Sequence, residues 1–138
     1  MKSTLDILDN LYKIVNVSTV TTSSIIDGKV YRNSRPLDSV KRDITVGALP
    51  IMGGTDIDLQ PCTVIINCFA KDLVPGRPDD ANLDKMTTAV LSVLEAYASS
   101  TSYLHLEINS QAVMADIDAA GITYSSIRVN CTIQYLTV

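Results

Sequence analysis

Between Thr123 and Thr137 the chain alternates apolar and polar residues. Ile127, Val129, Cys131, Ile133 and Tyr135 fall on one side of an extended strand, and Ser126, Arg128, Asn130, Thr132 and Gln134 on the other. A strand with one apolar face must press that face against a second layer, so this segment calls for a sheet with something packed on it. A second run, Thr63 to Phe69, sharpens the constraint. Cys62, Val64, Ile66 and Cys68 line one face, while Ile65 and Phe69 flank Asn67 on the other. Apolar residues on both faces predict a central strand covered on both sides.

The covering layer is legible in two helical patterns. Residues 3–16 carry Leu5, Leu8, Tyr12 and Val15 at helical spacing, widened by Ile7, Leu11 and Ile14. Ser3 with Asp6 three residues on resembles a capping box. A second helix is predicted from Asp79 or Asp80 to about Ser99, with Leu83, Met86, Val90, Val93 or Leu94, and Tyr97 on its apolar face. Residues 16–27 are polar and β-branched and read as a short strand or an extended arm. Further strands are expected at Val30–Tyr31, from Ile44 to Ile51, and around Leu104, Leu106 and Ile108. Gly53, Gly54 and Asp56 mark a hairpin tip, and Asp116 to Gly121 a loop. The order helix, strands, helix, strands, with short turns between strands, predicts an α+β domain. Its sheet would be antiparallel, of about four or more strands, with two helices packed on one face.

Length fits one domain spanning residues 1–138. Neither composition nor spacing points to a cofactor. Cys62, Cys68 and Cys131 are odd in number, lack CxxC spacing and sit in apolar runs, so they read as buried, reduced thiols of a reducing cytoplasm. Asp79, Asp80 and Asp84, and Asp116 with Asp118, lack the spacing of a calcium loop. Gly47, Gly53 and Gly54 form no phosphate-binding fingerprint. His105, the single histidine, shares a strand face with Glu107, but no nucleophile is placed beside them. The chain reads as non-enzymatic; a hydrolase using His105 and Glu107 is the weaker reading. The net charge of −4 with no basic block argues against a nucleic-acid grip, and no apolar run is long enough to span a membrane.

The functional signal lies instead between Gly28 and Pro50, a long open run mixing aromatic, Arg and Pro residues. Tyr31, Arg32, Arg35, Pro36 and Leu37 are residues of the kind that anchor protein interfaces. The outward face of the last strand is the second candidate. It is uncharged except for Arg128, where free surface normally carries more Lys and Glu.

The pattern Gly28-x-Val-Tyr-x-Asn-x-Arg-Pro-Leu-x-Ser-x-x-x-Asp-Ile-x-Val resembles the small tail-completion or tail-terminator proteins of tailed bacteriophages. The motif covers Gly28 to Val46, and the helix and strand layout around it is similar as well. The resemblance implies a structural virion protein, made in the bacterial cytoplasm, that forms a ring of copies of itself at the neck or the head-proximal end of the tail. Its partners would be neighbouring neck, connector or tail-tube proteins. DNA would be only passing cargo in a channel, where acidic balance prevents sticking. Arms from Gly28 to Asp43 and from Met52 to Gln60 would clasp the neighbours. A small non-enzymatic adaptor or binding domain is the alternative.

Overall fold

The reciprocal cap read at the N-terminus opens the first helix. The Ser3 hydroxyl accepts the Asp6 N–H, and the Asp6 carboxylate accepts the Ser3 N–H. The computed structural model describes residues 3–50, 59–100, 104–117 and 119–134. Along the chain lie α1 (Thr4–Val15), α2 (Ser18–Thr21), β1 (Val30–Arg32), β2 (Ile44–Ala48), β3 (Leu59–Lys71), α3 (Asp80–Ser100), β4 (Leu104–Ala115) and β5 (Ile122–Gln134). The fold is α+β: among the described residues, three helices and one five-stranded sheet in the order β1-β2-β3-β5-β4.

The sheet is mixed, which corrects the antiparallel expectation at one place. β1 runs parallel to β2, with Val30 opposite Ile44 and Arg32 opposite Val46. The reason is the length of the connection. Residues 33–43 are enough for the chain to leave one end of β1 and re-enter the sheet at the other, whereas a short turn would force reversal. All other pairs are antiparallel. β5 inserts between β3 and β4, so α3 carries the chain from a central strand to the sheet edge.

Alternation decides what the helices cover. Cys62, Val64, Ile66, Cys68 and Ala70 of β3 are buried, as are Ile127, Val129 and Cys131 of β5. They meet Ile7, Leu8, Leu11 and Val15 of α1 and Leu83, Met86, Val90 and Leu94 of α3 in one core. α1 lies over β1 and β2, and α3 over β3, β5 and β4. A polar chain crosses this layer at one place: Gln111 Nε2 donates to Ser125 Oγ at 2.9 Å, Ser125 Oγ lies 2.7 Å from Thr87 Oγ1, and Thr87 Oγ1 donates to Leu83 C=O at 2.7 Å. Each buried hydroxyl is thereby satisfied.

Four expectations need correction. Residues 16–27 are neither a strand nor an arm: they form the short α2 and a turn, because Val20 and Ile26 are buried and pull the segment onto the core. β3 is central but is not covered equally on both sides. Ile65 and Phe69 remain half-buried on the face away from the helices. β2 ends at Ala48, before Leu49 and Pro50, with Ile51 outside the described residues, and β4 extends to Ala115 past a bulge between Ile108 and Ser110. The hairpin tip at Gly53, Gly54 and Asp56, and Tyr135, fall outside the described residues.

Candidate functional site

The loop between β1 and β2 folds over the sheet face that the helices leave open. Its course is set at Asn33, whose φ of 66° turns the backbone left-handed, a conformation Asn tolerates better than most residues. Two residues on, the Arg35 guanidinium sits 4.1 Å above the centre of the Phe69 ring. Its Nη1 lies 3.4 Å from Asp43 Oδ2, and the Arg35 side chain is only 9% exposed. Asp43 is fully buried. Its Oδ2 also accepts the Ser39 hydroxyl at 2.5 Å, and its Oδ1 accepts the Lys29 N–H at 3.0 Å.

Gly28 completes this knot by having no side chain. A Cβ there would come within 1.7 Å of Asp43 Oδ1. Gly28, Arg35, Ser39 and Asp43 are thus the parts of one device that ties both ends of the loop together. A second tie lies beside it: the Arg42 N–H donates to Asp27 Oδ1 at 2.6 Å, and Arg42 Nε donates to Ile25 C=O at 3.0 Å.

The six residues singled out in the sequence separate into two groups. Arg35 is inside the knot. Arg32 is half-exposed but engaged: Nη2 lies 2.7 Å from Asp9 Oδ1, and the guanidinium caps the Tyr12 ring at 4.2 Å. Tyr31 is half-buried. Pro36 and Leu37 are exposed, Leu37 at 95% of its surface, and Arg128 is exposed in the middle of the open sheet face, opposite Ile65. Arg35 and Leu37 both border the cleft above Phe69, but Arg35 is tied inward to Asp43 while Leu37 stands out into solvent.

Around Leu37 lie residues that sequence reasoning missed. Val40, Leu73 and Val74 are exposed, and with Leu37, Ser39 and Lys71 they line a groove of about 630 Å³. The signal was available. Leu73-Val74 stands in the turn between β3 and α3, where Val74 bridges Arg77, and turns of that kind are normally polar. Ile117, 97% exposed, borders a second cleft of about 390 Å³ with Arg35, Asn67, Phe69 and Tyr124. Asn67 Oδ1 is buried and, among the described residues, has no hydrogen-bond partner.

The chemical alternatives find little to work with. His105 and Glu107 stand exposed on the edge strand, an open position rather than a water-excluding cleft. Among the described residues no cluster of His, Cys, Asp and Glu has the size to hold a metal ion. Asp118 falls outside the described residues. All three cysteines are buried thiols. Burial pushes Cys68 up to about 12. Cys62 and Cys131 face each other in register across β3 and β5, and Cys62 Sγ donates to Cys131 C=O at 3.4 Å. Their mutual hydrogen bond lowers the Cys62 thiol and raises that of Cys131, which burial raises further. Among the described residues no helix is long and apolar enough to cross a membrane. No protein-family model matches the chain, and no curated protein is significantly similar to it in sequence.

Proposed function

We propose that this chain is a non-enzymatic structural subunit that assembles with copies of itself into a ring, at the neck or the head-proximal end of the tail of a tailed bacteriophage. The observation that carries the self-assembly is the apolar cluster of Leu37, Val40, Leu73 and Val74, exposed together around one groove and outside the buried core. Contiguous exposed apolar surface of this kind marks a contact site. The phage assignment rests on the resemblance of the Gly28–Val46 segment, and the knot around Asp43 gives that segment a physical purpose: it fixes the loop that presents Leu37.

A ring closes when one patch meets a different patch on the next copy. The Leu37 cluster is one patch, and the open sheet face around Arg128 is the other. Obligate contacts of about 2,000 Å² or more are expected. The protein would act in the virion, between neck, connector or tail-tube neighbours, with DNA passing through and held off by the net charge of −4. The alternative is an adaptor that binds a small partner in the cleft at Asn67, favoured by that residue's unpartnered oxygen. Light scattering on the purified protein separates the two. The ring predicts a mass of several copies that images as an annulus; a monomer at every concentration overturns it.

A further inference from the structure

Strand β4 takes an outer place in the sheet, beside β5, and among the described residues no strand lies against its other edge. An edge strand presents a row of backbone N–H and C=O groups that another extended chain can pair with, and proteins usually blunt such edges with charge, proline or short length. Here the strand is 12 residues long. A bulge between Ile108 and Ser110 divides it into unlike halves. The first half carries His105 and Glu107; residues 110–115 carry no charge, proline or glycine. Residues 109–115 are exposed on both faces, Val113 and Met114 included.

We propose that residues 110–115 of β4 pair antiparallel with the same residues of a second copy, joining two sheets about a two-fold axis. The chemistry of the edge fixes the occupant as an extended strand, because what it offers is backbone. Three features make that strand the same one. An uncharged segment meets its own image without opposing like charges. The sheet's other edge strand, β1, has only 3 residues, so it cannot match this length. Alternation also survives the two-fold operation. Gln111 and Val113 lie opposite the buried Ile127 and Ser125, on the helix side, and Ser110, Ala112 and Met114 lie on the open side. With Ala112 or Val113 on the axis, each face of one copy continues into the same face of the other.

The inference rests on the self-assembly reading but is tested apart from it. A residue on a two-fold axis lies opposite itself, which a head-to-tail ring contact does not produce. Across an antiparallel pair the Cα atoms are about 4.5–5.5 Å apart, within the range of about 4.4–6.8 Å that a disulfide spans. Single substitutions Gln111→Cys, Ala112→Cys, Val113→Cys and Met114→Cys, oxidised mildly, should therefore give a reducible product of twice the chain mass at the axial position. The double variant Ala112→Lys with Val113→Lys should at least halve the particle mass while leaving the melting temperature unchanged. A wild-type ring with no cross-link at any of the four positions, and no mass change in the lysine variant, overturns the edge pairing and leaves the ring. A wild type that stays monomeric overturns both. A cross-linked dimer with nothing larger upholds the edge pairing and overturns the ring.

Discussion

A fully buried carboxylate must have its charge answered within hydrogen-bond reach, and Asp43 gets three answers: the Ser39 hydroxyl, the Lys29 N–H and the Arg35 guanidinium. Removing one partner of a buried pair costs about 3–5 kcal/mol, because the other charge is left stranded. Arg35→Ala should therefore lower the melting temperature by on the order of 10 °C in a domain of this size. Gly28→Ala should do the same by driving a methyl group into Asp43 Oδ1. Thermal melts of both variants check this, and a wild-type melting temperature in either would show that the knot does not hold the fold. Residue chemistry also sets a pH dependence. Burial raises the Cys68 thiol from 9.0 to about 12, so between those values the unfolded chain has lost a proton that the folded chain keeps. Stability is then flat below pH 9 and falls towards pH 12, by up to about 1.4 kcal/mol per unit from this group. Denaturation in reducing buffer across that range should show the fall, with a shallower slope in Cys68→Ala. The sequence showed Arg35 as an interface residue because Arg is common there; that it faces inward depends on Asp43 and Phe69, which only the fold brings to it.

At the scale of elements, period was legible and pairing was not. The α3 stripe at Leu83, Met86, Val90 and Leu94 is buried as its spacing required, and the capping box at Ser3 and Asp6 forms as its chemistry required. These are local facts, decided within one or two helical turns. β5 likewise buries Ile127, Val129 and Cys131 and turns Arg128 and Asn130 outward. The segment 16–27 misled because β-branched residues such as Val17, Thr19 and Val20 favour strands in isolation. Burial of Val20 and Ile26 against the core outweighed that preference, as tertiary packing commonly does for a helix as short as α2. β4 was legible only to Asn109. A bulge there shifts the alternation by one residue, so the pattern that identifies its first half reads out of phase in its second.

At the scale of the molecule, alternation told which face of each strand is apolar but not which strand stands next to which. The placement of β5 between β3 and β4 and the parallel entry of β1 both depend on connections, α3 and residues 33–43, whose paths no local pattern records. The same holds for the contact surface, since Leu37 and Leu73 are far apart in the chain and meet only because the loop and the β3–α3 turn reach the same end of the sheet. That separation makes the surface testable without touching the fold. Leu37 is 95% exposed and makes no part of the Asp43 knot, and Leu73 is exposed in a turn. Surface substitutions away from structural features usually shift stability by less than about 0.5 kcal/mol. In an assembly the same two side chains would be buried, and placing a carboxylate there desolvates an unpaired charge at every copy of the contact. Leu37→Asp with Leu73→Asp should therefore leave the melting temperature of the isolated domain within a few degrees of wild type, yet shift the particle to single copies on a sizing column. A variant that melts normally and still assembles to full mass would move the contact away from this end of the sheet.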